Sequence, residues 1–185
     1  MAKNGLRNKV SSLLLNREIN NRKRINGSSF SFENAKSIGI LYDATNDSDY
    51  ELVKAYARNL MSYSKDVVAL GYYNDKELPG SRLMKLGLDF FPKKSLNWKM
   101  RPSNPIVNNF LERSFDILIL FNTHKCIPLL YTALETKASF KIGRYEKGLT
   151  GMLDFMVKED GLSNMKNLIT QINHYLMLIK NEKAK

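Results

Sequence analysis

Short apolar runs recur along the chain with amphipathic stretches between them, and this alternation constrains the fold more than any other feature. SIGILY (37–42), DVVALGYY (66–73), FDILILF (115–121) and FKIGRY (140–145) are rich in apolar and β-branched residues. Runs of this kind mark strands covered on both faces. GLDFF (87–91) reads as a short edge strand and LDFMV (153–157) as a further extended segment. Between the first two runs Tyr50, Val53, Ala57, Leu60 and Met61 fall on one helical face, with Ser48 or Asp49 as the expected N-cap. Helices are expected over 103–113 and 129–137. A last helix over 162–181 carries Leu162, Met165, Leu168, Ile169, Ile172, Leu176 and Ile179 as its core stripe. Strand–helix alternation of this sort predicts a three-layer α/β domain over residues 30–185, Rossmann-like or flavodoxin-like, with a mostly parallel sheet of about five strands.

The first 29 residues differ in composition and are expected to form a basic helical extension. Leu6, Val10, Leu13 and Leu14 share one helical face, and Arg7, Lys9, Arg17, Arg22, Lys23 and Arg24 supply charge against Glu18 alone. A Gly-Ser-Ser stretch at 27–29 breaks the helix. Over the whole chain 29 Lys and Arg stand against 18 Asp and Glu, a net charge of +11. Such an excess attracts polyanions and speeds association with them. A second basic cluster lies in a proline-bounded loop, where Lys93, Lys94, Lys99 and Arg101 surround Trp98, the single tryptophan. Cations on phosphates around a ring that stacks on a base is a mixture that RNA binders use. The same tryptophan equally serves to plug its loop onto the domain, and a basic helix equally serves as a solvated face.

In parallel sheets ligands sit beyond the carboxyl ends of the strands, where strand order reverses. With order 3-2-1-4-5 the turns after the first strand and after FDILILF face each other, and Asp43, Thr45, Asn46, Asn122, Thr123 and His124 line a polar crevice. The competing reading is ordinary helix capping, for which turns use these same residue types. ILYDATNDSD lacks G-x-G-x-x-G and the chain has no P-loop, so dinucleotide or NTP binding by those routes is disfavoured and no cofactor is expected. One cysteine, Cys126, excludes an intrachain disulfide and a cysteine zinc cage, and two histidines, His124 and His174, make a histidine metal site improbable. No catalytic set is nominated: Asp43 and Asp116 belong to opposite ends of their strands, and His124 with Cys126 lacks an orienting group. No apolar run approaches the ~18 residues that span a bilayer. The N-terminus lacks a secretory pattern, and a cytoplasmic setting is expected, with a transit peptide as the alternative.

From Phe115 onward the pattern FDILILFN, a proline, ALETKAS, FKIGRY, LDFMV and a helix with QINHYL resembles an uncharacterised family of small proteins widespread in Bacteroidota. The resemblance covers roughly residues 37–180 and implies a bacterial cytoplasmic setting and no catalytic residues. DILIL followed by KASFKIG is also similar to segments of heptosyltransferase-like glycosyltransferases, a likeness of fold only. Three readings stay open. The first is a non-enzymatic protein that engages RNA or a ribonucleoprotein, the ribosome among them, through the basic arm and the Trp98 loop. The second is a small-molecule or nucleotide binder using the strand-end crevice. The third is a peripheral membrane or protein-interaction module with the first helix as its contact.

Overall fold

The structure, a computed structural model, describes residues 2–22, 31–82, 87–158 and 164–179. Its strands are β1 (Ser37–Asp43), β2 (Asp66–Tyr73), β3 (Leu88–Pro92), β4 (Ser114–Phe121), β5 (Lys137–Arg144) and β6 (Phe155–Val157). They form one sheet in the order β3-β2-β1-β4-β5-β6, every pairing parallel. The fold is therefore Rossmann-like α/β, with six strands rather than the expected five. The added strand is the three-residue β6, paired with β5 only through Ile142, Gly143 and Arg144.

Helices cover both faces. On one face α2 (Asp47–Ser62) and α5 (Met165–Leu178) pack over Ile38, Ile40, Tyr42, Ile117, Ile119 and Phe121. On the other, α1 (Ala2–Asn21), α3 (Pro105–Glu112) and α4 (Ile127–Glu135) cover Leu41, Leu70, Phe91, Phe115, Leu118 and Leu120. Strands buried on both sides must be apolar at consecutive positions, which is why the runs lack clean alternation. Asn46, rather than Ser48 or Asp49, caps α2, its side chain accepting from the Ser48 N–H at 2.8 Å. Asn104 and Asn164 cap α3 and α5 in the same way. At the opposite end of the sheet Asp116 accepts from the Lys36 and Ser37 N–H groups. Burial opposes ionisation there, but these bonds prevail and hold the Asp116 carboxyl below its ordinary value.

The first helix of the basic extension packs on the domain with part of its surface. Ser11, Leu15 and Ile19 are buried against the domain, whereas Leu6 and Leu13 are about two-thirds exposed and Val10 is 40% exposed. The inward stripe thus lies one step round the helix from the expected Leu6, Val10, Leu13 and Leu14. Burying two aliphatic side chains contributes about 1.5–3 kcal/mol each, a large share of a net stability of about 5–15 kcal/mol. Arg101 reinforces the contact: it pairs with Glu18 of α1 and, at 2.8 Å, with Glu135 of α4, while its guanidinium lies over the Tyr131 ring. The expected helix break at 27–29 lies outside the described residues.

A basic cleft at the carboxyl end of the sheet

β1 and β4 are neighbours, and the chain leaves β1 toward β2 and β3 before returning to β4 on its other side. The carboxyl ends of these strands therefore open a crevice at the reversal point. A cleft of about 360 Å³ occupies it. Asp43 comes from β1, Tyr72 and Asn74 from the end of β2, Lys93 from the turn after β3, and His124 to Pro128 from the β4–α4 turn. Arg7 and Asn8 of α1 wall one side, and Leu96 and Met100 form the rim. Tyr72, Cys126 and Ile127, which also line it, are buried.

The structure brings Asp43 and His124 together: His124 Nε2 stands 3.2 Å from Asp43 Oδ2, and Thr123 Oγ1 lies 3.4 Å from Nδ1. Thr45, Asn46, Asn122 and Thr123, expected in the crevice, are not among the residues that line the cleft. Thr45 donates its N–H to Asp43 at 2.9 Å and accepts the Asn74 N–H at 3.0 Å, and Asn46 is the α2 cap. Asn122 is buried, with neither side-chain polar atom partnered among the described residues, and its carbonyl accepts from Arg144 Nε. Asp49, just inside α2, has its carboxyl raised by burial and then by the Asp43 charge, against an opposing effect of His124.

The tryptophan loop is built as a rigid turn. Asn97 Oδ1 accepts the N–H groups of Lys99 and Arg101, Met100 takes a left-handed backbone (φ 62°), and Leu96 and Pro102 form an antiparallel bridge. A left-handed non-glycine residue costs about 1–2 kcal/mol, which the surrounding bonds offset. The turn presents Trp98 at 65% exposure with Lys99 Nζ 5.2 Å from the ring centroid. Arg7 fastens α1 to this turn, its Nε donating to the Trp98 carbonyl at 3.1 Å and Nη2 to the Asn97 carbonyl at 2.6 Å. The two basic segments, distant in sequence, meet at one rim.

The candidate cations fall into distinct groups. Arg7 and Lys93 line the cleft, and Lys94 and Lys99 sit on the adjoining loop. Lys9, Arg17 and Arg22 are exposed on or just after α1, away from the cleft lining. Arg101 is committed to Glu18 and Glu135 and holds the fold. Lys23 and Arg24 lie outside the described residues. Sequence reasoning did not nominate Tyr72, Asn74 or Lys125, although applying the strand-end rule to β2 as well as β1 would have found the first two. The cleft sets the cations of Arg7, Lys93 and Lys125 beside the contact of Asp43 with His124. It does not offer a thiolate, because burial pushes the Cys126 thiol well up. Among the described residues no group of three or more His, Cys, Asp or Glu is placed to hold a metal ion, and no helix is long and apolar enough to cross a membrane.

A search of curated proteins finds no match. A family model does match, covering residues 7–179, which takes in every element from the body of α1 to α5. The chain belongs to a family described as a family of unknown function (DUF6913).

Proposed function

We propose that the protein is a binding module for single-stranded RNA, alone or within a ribonucleoprotein. One observation carries this reading: Arg7 ties α1 to the Trp98 turn at the rim of the strand-end cleft. An exposed indole, the cations Lys93, Lys94 and Lys99, and a polar recess thereby adjoin one another. Base–aromatic stacking contributes about 1–3 kcal/mol per base and tolerates any base, while the cations follow the backbone. Binding of a fluorescent oligoribonucleotide, followed by anisotropy, tests it. Affinity should fall by about 0.7 log units per log unit of salt for each phosphate contacted, and Trp98→Ala should weaken binding by about tenfold. Absent or salt-insensitive binding would remove the reading.

A second reading is favoured by the volume of the cleft, which lies within the ~300–1,000 Å³ of small-ligand sites. Here the ligand is a nucleotide or other small metabolite held against Asp43 and His124. Thermal stabilisation by such a compound, lost in Asp43→Ala, is the expected result, and a flat ligand screen counts against it.

A further inference from the structure

We infer that the cleft is a receptor for a phosphomonoester, and that in the RNA reading, on which this rests for its source, it seats a phosphorylated chain end. Three cations converge on it from three separate elements: Arg7 from α1, Lys93 from the turn after β3 and Lys125 from the turn after β4. Arg7 spends two of its N–H donors on the loop carbonyls, and a guanidinium has five. Three donors are left for a ligand. Lys125 is only loosely held, its Nζ 3.9 Å from Glu146. Asp43, 3.2 Å from His124 Nε2, is the one carboxylate among the described residues of the lining, so the three cations exceed it by two charges.

The charge count separates two kinds of phosphate. A diester inside a chain carries a single negative charge, and isolated surface lysines suffice for it. A terminal phosphate carries about −1.5 to −2 near neutral pH and presents three acceptor oxygens. Three cations set around one recess match the second group. The buried side chains of Tyr72 and Cys126 line the same recess. The Trp98 turn at the rim then lies where the following base emerges.

The full-length protein can be tested by titration, using its single tryptophan as the reporter. The probes are hexaadenylate bearing a 5′-phosphate, a 3′-phosphate or hydroxyls at both ends, together with AMP, adenosine and inorganic phosphate. One phosphorylated end should bind about tenfold more tightly than the hydroxyl-ended strand, as expected when charge-assisted hydrogen bonds are gained. Lys125→Ala should erase that preference while leaving the hydroxyl-ended strand little affected. RNA that binds equally well with or without a terminal phosphate overturns the inference and leaves the RNA reading standing. If no RNA binds but AMP binds better than adenosine, in a manner dependent on Lys125, the phosphate site stands and its ligand is a free nucleotide. Should neither preference be seen, the cleft is not a phosphomonoester site.

Discussion

Lys141 shows how one residue can set a pH dependence. It lies in β5, 7% exposed, and its Nζ donates to the Ala133 carbonyl of α4 at 2.6 Å. Burial, then the Arg22 charge, lower its pKa to about 8, against the pull of Asp154. The folded protein thus gives up this proton more readily than the unfolded chain, so the penalty is fully present below about pH 8. Stability should rise from there toward pH 10, by on the order of 3 kcal/mol. Above pH 10 the trend reverses. Burial raises the phenols of Tyr42, Tyr56 and Tyr72, so the unfolded chain ionises first and gains stability. Urea unfolding between pH 7 and 11 checks this, and Lys141→Met should flatten the rising limb. At this scale Asp43 and His124 were legible in the sequence, because the strand-end rule uses only chain order. The role of Arg101 was not, since its partners Glu18 and Glu135 are far away in the chain. A cation that holds the fold and one that faces solvent read alike until their neighbours are known.

Among the elements, the buried strands announced themselves through unbroken apolar runs, and α1 did not. This helix carries two stripes, Leu6, Val10 and Leu13 outside and Ser11, Leu15 and Ile19 inside. Hydrophobic spacing favours the outer one. The inner one wins because a serine suits close approach to α4, where the Tyr131 hydroxyl donates to the Ser11 carbonyl at 3.4 Å. Leu15→Ala should therefore cost about 2–5 kcal/mol, as truncation in a packed core does. Leu13→Ala should stay within about 0.5 kcal/mol, the usual range for surface changes. Chemical denaturation of the two variants separates them. Equal effects would return α1 to the status of a loosely attached arm. The boundary of β5 was missed for a related reason: Lys137, Ala138 and Ser139 look like a helix end, but Lys137 and Ala138 pair with Ser114 and Phe115 of β4.

For the molecule as a whole, a net charge of +11 is a total and states no location. Location comes from topology, which joins the first helix, the turn after β3 and the turn after β4 at one end of the sheet. Removing residues 1–22 should accordingly lower the melting temperature by about 10–20 °C, the loss of several kcal/mol in a chain of this size, as well as remove Arg7 from the cleft. Differential scanning calorimetry checks it, and an unchanged midpoint would show the helix to be dispensable. The docking of α1 has a consequence for biosynthesis. Its contact with Tyr131 spans 120 residues, and domains form as the chain emerges from its N-terminus. Leu15 and Ile19 must then wait, uncovered, until α4 has been made. Throughout the synthesis of the residues between α1 and α4, the nascent polypeptide thus exposes this greasy stripe beside the cations of Lys9 and Arg17.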